Sequence, residues 1–378
     1  MIDIKDKKQC CGCGACEQRC PKRCISLKTD EQGFLYPYVD QEACVNCHVC
    51  EQVCPVLDSA EKKKPVMTYA AMNPDDGIRL KSSSGGVFTA LAEYVVKNSG
   101  VVFGARFNES WEVVHDYTET IEGIAAFRGS KYVQSVIGDY YVKAEQFLEQ
   151  GRMVLFSGTP CQIAGLKHYL KKEYERLLTV EVACHGVPSP LIWKEYLSEN
   201  TEKGAVKELS FREKSNGWKN YNFYICQDHV CHKELFKDNM FMKGFLNDLY
   251  LRPACYHCHF KAGRSGADVL LADFWGAGAV RPELDDDKGL SLMFLYSQKG
   301  KLILQNLLLE FSEVDYKDVV KYNPAVIKSA NPYFNRLFWK SHKEKGLASI
   351  EYVLSKKRFL LFKKFHNLWR KAWRKLWN

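Results

Sequence analysis

The chain has 378 residues, and 46% of them are hydrophobic, so it can build a substantial core and is not expected to be disordered. Its formal net charge is +9, but residues 356–378 hold nine Lys or Arg and no acidic residue, which leaves the rest of the chain close to neutral. Because the basic charge is not spread over a broad surface, we expect no nucleic-acid partner.

The cysteine content indicates metal or redox chemistry. The chain has 16 cysteines and opens with Met1-Ile2-Asp3, without the basic start and apolar stretch of a signal peptide, so we expect a cytoplasmic protein. Thiols stay reduced in that compartment, and clustered cysteines there are typical of metal ligands or redox groups. No apolar run approaches the ~18 residues that a membrane span requires.

Residues 1–56 contain the motif C-x2-C-x2-C-x3-C-P twice, as CCGCGACEQRCP and as CVNCHVCEQVCP. This spacing is typical of bacterial ferredoxins with two 4Fe-4S clusters, in which the fourth cysteine of each run binds the other cluster. The first cluster is expected on Cys10, Cys13, Cys16 and Cys54. The second cluster is expected on Cys44, Cys47, Cys50 and Cys20. Zinc is the alternative, although zinc sites use separated ligand pairs rather than two interlocked runs.

Two further cysteines of this region, Cys11 and Cys24, fall outside the motif. We expect them to be small buried side chains, with substitution as cluster ligands as the alternative. The stretch GFLYPYVD, residues 33–40, predicts a short strand after a turn at Gly33. The charged segment 57–66, which contains Pro65, predicts a linker to the next domain.

Residues 67–330 are predicted to form a mixed α/β central domain. Helices are predicted from Val87, from Cys161 and from Leu191, and strands at 101–107, 153–158, 177–184 and 269–276. In sheets of this kind, ligands bind where strands end and helices begin.

The segment LFSGTPCQIAGLK places a cysteine at such a junction. Thr159 is a suitable N-cap and Pro160 suits the first helical position, so Cys161 is expected in the first turn of a helix. The helix dipole there favours a thiolate, so we expect the pKa of Cys161 to be lowered. At this position Cys161 could act as a nucleophile, as a redox thiol or as a metal ligand.

Three more cysteines can join Cys161. Cys184 follows a predicted strand, and Cys255 and Cys258 form a C-x2-C pair, so the four together suffice for a third 4Fe-4S cluster. One alternative is a structural zinc site that recruits His185, His257 or His259. Another is a nucleophilic enzyme built on Cys161 and His185. Scattered core cysteines are a third, and that role better suits Cys226 and Cys231, which lie on a predicted strand.

Two segments of small and cationic residues are suited to a phosphate or an anionic ring. The first is SSSGG, which comprises Ser82, Ser83, Ser84, Gly85 and Gly86. The second is FRGSKYVQS, residues 127–135, which contains Arg128, Gly129, Ser130 and Lys131. An ordinary helix N-terminus and a solvated turn are the alternatives for these two segments.

Taken together, these motifs resemble the coenzyme F420 hydrogenase/dehydrogenase beta-subunit family, which also includes a 7-hydroxymethyl chlorophyll a reductase. The resemblance covers roughly residues 5–290 and rests on the double cysteine run and on the strings KSSSGGVFTAL, FRGSKYVQS, LFSGTPCQIAGLK, ACHGVPSP, SFREKSNGW and LRPACYHCHFKAGRSGADVLLADFWG. Members are iron–sulfur flavoproteins. The resemblance therefore implies a flavin, usually FAD, in the central domain, beside a cluster held by Cys161, Cys184, Cys255 and Cys258.

The same resemblance implies that Ser82 to Gly86, Gly129 to Tyr132, Gly158 and Thr159 line the flavin, with 273–275 nearby. We therefore expect an oxidoreductase that passes electrons between 4Fe-4S clusters and a flavin, which exchanges a hydride with an organic substrate or a deazaflavin coenzyme. A ferredoxin or another redox protein is the expected partner. The alternative is a flavin-free electron-transfer subunit serving a partner enzyme.

The carboxyl-terminal part is predicted to be helical, with an extension at 331–355 and a basic amphipathic helix at 356–378. In the latter, aromatic residues recur at steps of three or four, and lysines and arginines flank that stripe. Such a helix suits the surface of an anionic membrane, so peripheral attachment at the inner face of the membrane is expected. Packing of the stripe on the protein's own body or on a partner protein is the alternative.

Overall fold

The computed structural model of the protein describes residues 1–202, 206–228 and 230–358. The predicted basic helix at 356–378 lies almost wholly outside these residues, since 359–378 are not described. Its membrane role therefore stays a prediction.

The amino-terminal module repeats a short helix beside a two-stranded sheet. Its elements are α1 (Ala15–Gln18), β1 (Ile25–Thr29), β2 (Leu35–Val39) and α2 (Val49–Gln52). The strands pair antiparallel, from Ile25 opposite Val39 to Thr29 opposite Leu35, so the strand predicted at 33–40 is confirmed. Each short helix follows a residue with positive φ, Gly14 before α1 and His48 before α2, so both cysteine runs turn in the same way.

The central domain is an alternation of strands and helices. Its strands are β3 (Met67–Met72), β4 (Val101–Phe107), β5 (Val113–Thr118), β6 (Val154–Gly158), β7 (Leu177–Val182), β8 (Val206–Glu213), β9 (Asn222–Gln227), β10 (Val230–Leu235), β11 (Val269–Asp273), β12 (Ser291–Leu295) and β13 (Glu310–Glu313). Its helices are α3 (Asp76–Lys81), α4 (Val87–Lys97), α5 (Tyr140–Glu149), α6 (Pro160–Leu170), α7 (Pro190–Asn200), α8 (Met240–Leu246), α9 (Ala277–Val280), α10 (Gln298–Leu304), α11 (Tyr316–Val320) and α12 (Pro324–Ile327).

Eight strands form one mixed sheet in the order β13-β3-β12-β11-β7-β6-β4-β5. The four strands β11, β7, β6 and β4 are parallel, and antiparallel strands flank them on both sides. The carboxyl ends of the parallel strands therefore meet at one edge of the sheet, where the loops after Gly158, Val182 and Asp273 come together. This confirms the predicted mixed α/β class.

Side chains of alternate residues cover the two faces of this sheet. Val102 and Leu155 pack with α4 and α10 on one face, whereas Phe103 and Phe156 pack with α5 and α6 on the other. Cys11 and Cys13 of the amino-terminal module belong to the second group. The module therefore docks on the face that carries α6.

A second, three-stranded antiparallel sheet, in the order β10-β9-β8, packs against aromatic side chains. Trp193 of α7, Phe211 of β8 and Phe241 of α8 form the centre of this group. Phe338 of α13 (Asn335–Lys345) and a final helix at 349–358 complete it. The described residues from 335 to 358 are thus helical, and part of them packs against the body, while the domain limits at 330 and 355 stay predictions.

The predicted central helices begin where their caps suggest. Thr159 caps α6 through a capping box with Gln162, and Pro160 occupies the first turn. Ser189 caps α7 by accepting a hydrogen bond from the Ile192 amide. The predicted strands are confirmed as well, although β7 ends at Val182, two residues before Cys184.

Gly165 of α6 allows the module to approach the central domain. A Cβ atom on Gly165 would lie 2.7 Å from Cys13 Cβ and 2.9 Å from Tyr141 Oη. We expect Gly165→Val to separate the module from α6 and to cost about 1–3 kcal/mol of unfolding free energy, because this crowded contact has no spare volume. Thermal unfolding and limited proteolysis of the 57–66 segment measure the effect.

The matched control is Gly77→Ala in α3, where the nearest atom is a carboxylate oxygen of Asp75, the N-cap residue of α3, at 3.0 Å. This control should leave stability unchanged or raise it by up to ~1 kcal/mol. Equal stability and equal proteolysis of the two variants would contradict the close packing at Gly165.

Candidate functional site

Four cysteines of the amino-terminal module line a single cavity. They are the set expected for the second cluster, Cys20, Cys44, Cys47 and Cys50. Asn46 and His48 have φ values of 53° and 59°, and these left-handed residues wrap the loop around the cavity. The Ile2 amide donates a hydrogen bond to Cys50 Sγ over 3.2 Å. The donor set and the cavity fit a thiolate-bound cluster.

A fifth thiol, that of Cys24, lines the same cavity. Its sulfur lies 3.4 Å from Cys20 Sγ, and the hydrogen bond with Cys20 raises the pKa of Cys24 to about 11. Cys24 is buried as expected. It is nevertheless a wall of the cavity rather than a general core residue, which its position outside the motif did not reveal.

The first cysteine set is only partly gathered. Burial raises the pKa of Cys16, and the neighbouring Cys10 and Cys54 raise it further, so these three thiols lie close together. The pKa of Cys54 is raised by burial and by Cys10 as well. Cys13 instead packs beside Cys11 against Gly165 of α6. Crowded thiols of this kind lose their protons when they bind metal.

The four central cysteines lie near the carboxyl edge of the parallel strands, where Cys161 and Cys258 pack against one group and Cys255 Sγ accepts a hydrogen bond from the Val187 amide. Burial raises the pKa of Cys184 to about 12, and the neighbouring Cys161 and Cys258 contribute to the increase. Burial also raises the pKa of Cys255 and of Cys258, again with contributions from the other members of the set. Cys161 lies in α6, Cys184 in the loop after β7, and Cys255 and Cys258 in the 3-10 helix Pro253–His257 and its C-cap.

One expectation about Cys161 is wrong in this structure. Its pKa is raised well above the ordinary value rather than lowered, because it shares a hydrogen bond with Cys11 and is buried. The position in the first turn of α6 is as predicted, and Thr159 Oγ1 lies 3.2 Å from Cys161 Sγ. A raised pKa does not favour the nucleophile alternative.

The histidines proposed for a zinc site are not gathered around these sulfurs. His185 Nε2 lies 2.5 Å from the carboxylate of Asp248, while His257 and His259 line an open cleft with Cys258. Within the described ranges, no three or more Cys, His, Asp or Glu side chains are arranged to hold a single metal ion.

The two segments predicted to bind phosphate or an anionic ring meet at the same edge of the sheet. The amide and the hydroxyl of Ser130 both hydrogen-bond to Ser83 Oγ, at 2.5 and 2.8 Å. Gly86 has a φ of +80°, and a Cβ atom on Gly85 would lie 2.5 Å from the Ala71 carbonyl, so this turn requires glycine. The turn and the loop therefore form one continuous wall.

Lys131 and His115 lie behind this wall. Lys131 Nζ donates to the carbonyls of Arg128 and Gly129, at 2.9 and 3.1 Å, and burial lowers its pKa to about 7. His115 Nε2 lies 3.1 Å from the Ser157 carbonyl, and burial lowers its pKa to about 4. His115 Nδ1 is buried and has no partner among the described residues. Sequence reasoning missed His115, since a lone histidine on β5 carries no motif.

A buried arginine lies beside Tyr132 at the same wall. Arg212 Nη1 donates to Asp273 Oδ2 over 2.6 Å, and its guanidinium lies between the rings of Tyr221 and Trp275, at 4.6 and 5.0 Å. Burial opposes its charge, but Asp273 and Tyr132 hold its pKa above the usual range. Among the described residues, its Nε and Nη2 have no partner. These donors and the 273–275 segment provide polar groups for a bound ligand.

Cys226 and Cys231 are not scattered core cysteines. They pair across β9 and β10 and are joined by a disulfide. Cys231 is exposed on the edge strand β10, whereas the sequence pattern favoured a core position for both cysteines. This hairpin lies outside the site.

Comparison with known proteins follows the same division of the chain. A family model described as a 4Fe-4S dicluster domain matches residues 9–57. The models for the amino- and carboxyl-terminal parts of the coenzyme F420 hydrogenase/dehydrogenase beta subunit match residues 68–138 and 151–320. The chain belongs to the coenzyme F420 hydrogenase/dehydrogenase beta-subunit family. This membership, with the dicluster domain, supports iron–sulfur electron transfer as its function class and confirms the resemblance found in the motifs.

One curated relative is the coenzyme F420-dependent sulfite reductase of Methanocaldococcus jannaschii, which is 29% identical over 204 residues. The match covers 52% of this chain and 31% of the relative, so the chain spans about a third of that protein. A solved chain of the F420-reducing [NiFe] hydrogenase complex of Methanosarcina barkeri aligns with 80% of this chain and 93% of its own length. Its 17% identity and TM-score of 0.46 are too low to support an argument.

The helices in the described part of the chain are too short or too polar to cross a membrane.

Motif cysteines and Cys24, which is outside the motif, line the same cavity of the amino-terminal module, so substitutions can compare the two kinds of thiol. We expect Cys47→Ala to lower the iron content by about four atoms per chain, because it removes one ligand of a four-iron cluster. The matched control, Cys24→Ala, removes a thiol from the same cavity but not from the motif, and should keep the iron content unchanged. Iron analysis of anaerobically purified protein distinguishes them. Loss of iron in the control would show that Cys24 is a ligand.

Proposed function

We propose that the protein is an iron–sulfur flavoprotein oxidoreductase that passes electrons between two ferredoxin-type clusters, a third cluster in the central domain and a flavin. The observation that carries this proposal is the continuous contact between three groups of residues. Cys11 and Cys13 belong to one packed group of side chains, and Cys161 packs against that group. The N-cap of Cys161's helix, Thr159, directly follows the strand end at Gly158, which lies beside His115.

The donor set of the central domain supports a third cluster. Cys161, Cys184, Cys255 and Cys258 are half-buried thiols, and other members of the set help to raise the pKa of Cys184 and of Cys255, as expected for neighbouring sulfurs. The Val187 amide donates a hydrogen bond to Cys255 Sγ over 3.4 Å. Backbone amides that donate to sulfur stabilise the negative charge of thiolate-bound clusters.

The wall formed by the Ser82–Gly86 turn and the 128–132 loop supports a flavin. Orphaned buried polar atoms, His115 Nδ1 and Arg212 Nε and Nη2, lie beside it. A Cβ atom on Gly129 would have nothing within 4 Å, so space is open at the loop tip. A bound flavin would exchange a hydride with an organic molecule and single electrons with iron–sulfur clusters.

Lys131 is the residue of this wall best placed to handle a proton. Its Nζ donates to two carbonyls, and a pKa of about 7 lets it hold or release a proton near neutral pH. Arg212, whose pKa is raised, keeps a fixed positive charge on the other side of Tyr132. The two cations would balance negative charge on a reduced ligand.

The partners follow from the same reasoning. We propose a ferredoxin or another redox protein as the one-electron partner, and an organic substrate or a deazaflavin coenzyme as the hydride partner. The family description and the F420-dependent relative support the deazaflavin. Sulfite reduction is not carried over, because the chain matches only a third of that relative. The flavin-free electron-transfer subunit is the alternative, which a flavin spectrum distinguishes.

Anaerobic metal and flavin analysis tests the proposal. We expect about twelve iron atoms and one flavin per chain in the native protein, and about four fewer iron atoms in Cys161→Ala, because this variant removes one ligand of the third cluster. Reduction of the flavin should slow in the same variant. The control is Cys226→Ser with Cys231→Ser, which removes two cysteines outside the site and should keep both contents.

About eight iron atoms with one zinc in the native protein would contradict the third cluster. An absent flavin would favour the flavin-free alternative. Unchanged iron in Cys161→Ala would contradict its assignment as a ligand.

A further inference from the structure

Arg252 is a buried cation at the boundary between the amino-terminal module and the central domain. Its side chain is 0% exposed, although it carries a charge, and it lies three residues before Cys255. Its amide donates to the Val187 carbonyl over 3.0 Å, so its backbone is fixed to the loop that also contacts Cys255 Sγ. A buried charge is costly unless it is compensated, so its partners indicate what it does.

The guanidinium of Arg252 points into the amino-terminal module. Nε donates to the Cys10 carbonyl over 2.8 Å, and Nη2 donates to the Leu35 carbonyl over 2.8 Å. Nη2 also lies 3.5 Å from Cys10 Sγ, and the guanidinium covers the ring of Tyr36 at 4.3 Å. Nη1 donates to Gln134 Oε1 over 2.9 Å. Arg252 thus joins the first cysteine run to the loop that follows Tyr132.

Sulfur supplies much of the negative charge around this cation. Burial opposes the charge of Arg252, but Cys10, Tyr36 and Cys11 hold its pKa above the usual range, and Cys255 contributes as well. The guanidinium contacts the Cys10 thiol of the first cysteine set, and Arg252 precedes Cys255 of the central set by three residues in the chain.

The local sequence makes room for this contact. A Cβ atom on Gly12 would lie 2.7 Å from Arg252 Nη1 and 2.8 Å from Gln134 Nε2, and Gly12 has a φ of +73°. At position 12, only glycine combines a positive φ with a side chain small enough to leave room for Arg252 and Gln134. Gln134 Nε2 donates to the Cys11 carbonyl over 3.2 Å. The turn between Cys10 and Cys13 is therefore shaped around the arginine.

We propose that Arg252 is a positioning residue that also raises the reduction potential of the cluster held by Cys10, an inference that rests on the proposed electron-transfer function. Adding one electron from a donor of the ferredoxin class gives a thiolate-bound cluster one more negative charge. A fixed cation nearby stabilises that state, and the stabilisation is larger in a buried setting than in water. The hydrogen bond to Cys10 Sγ acts in the same direction.

The test is an anaerobic redox titration of the holoprotein, followed by electron paramagnetic resonance. Arg252→Gln removes the charge and keeps a hydrogen-bonding group. At a fixed solution potential it should lower the ratio of reduced to oxidised Cys10 cluster about tenfold, equivalent to about 59 mV for one electron. The Cys47 cluster should not change. Cys16→Ser assigns the signals, since it alters a ligand of the Cys10 cluster only.

Arg252→Lys is the matched variant, because it keeps the charge but loses the planar fork. It should retain most of the native ratio. Equal shifts in Arg252→Gln and Arg252→Lys, or no shift in either, would overturn the tuning role and leave a purely structural contact.

Gln134→Glu is a second, independent test of the proposal. It can be used if the Arg252 variants cannot be purified with their clusters bound. A carboxylate in place of Oε1, 2.9 Å from Nη1, would pair with the guanidinium and cancel its field, so the Cys10 cluster should again become harder to reduce. An unchanged potential in Gln134→Glu would overturn the proposal. Failure of the proposed function would appear separately, as missing central iron or flavin in the native protein.

Discussion

The structure depends on one close contact, between the turn that carries Cys10 to Cys13 and the first turns of α6. Gly165 lacks the Cβ atom that would press on Cys13, and Gly12 lacks the Cβ atom that would press on Arg252, whose guanidinium closes the contact from the central domain. Because packing here leaves no room for a further methyl group, the module is held in one position. The cysteines of two distant parts of the chain thereby become neighbours.

The topology of the sheet brings the remaining groups to the same place. Four parallel strands end at one edge, and the loops after β6, β7 and β11 supply Cys161, Cys184 and the Asp273 segment. The Ser82–Gly86 turn and the 128–132 loop join this edge through Ser83 and Ser130. The parallel part of the sheet thus explains why motifs from distant parts of the central domain lie at one edge.

The sequence predicted correctly those structural features that depend only on residues close together in the chain. The cap at Thr159, the glycine turns and the cysteine spacing are of this kind, and the structure has the helices and strands that they indicate. The flavin contacts stay predictions, as does the membrane role of 356–378. The zinc and nucleophile alternatives arose from residue types alone, without positions in space.

What sequence reasoning missed depends on tertiary contacts. The pKa of Cys161 was expected to fall because of its helix dipole, but burial against Cys11 reverses the direction. Cys226 and Cys231 pair because a hairpin places them opposite each other. Arg252 lies inside a motif string, yet its partners Cys10 and Leu35 are more than two hundred residues away. Spacing along the chain carries no signal for such pairs.

The central claim is that three cysteine sets hold adjacent clusters in one electron path. Electron paramagnetic resonance of the fully reduced, anaerobically purified protein tests it most directly. The account predicts one unpaired spin for each of three clusters, with lines split by magnetic interaction between the central cluster and the Cys10 cluster. A spectrum of two coupled ferredoxin-type clusters alone, without a third spin, would contradict it.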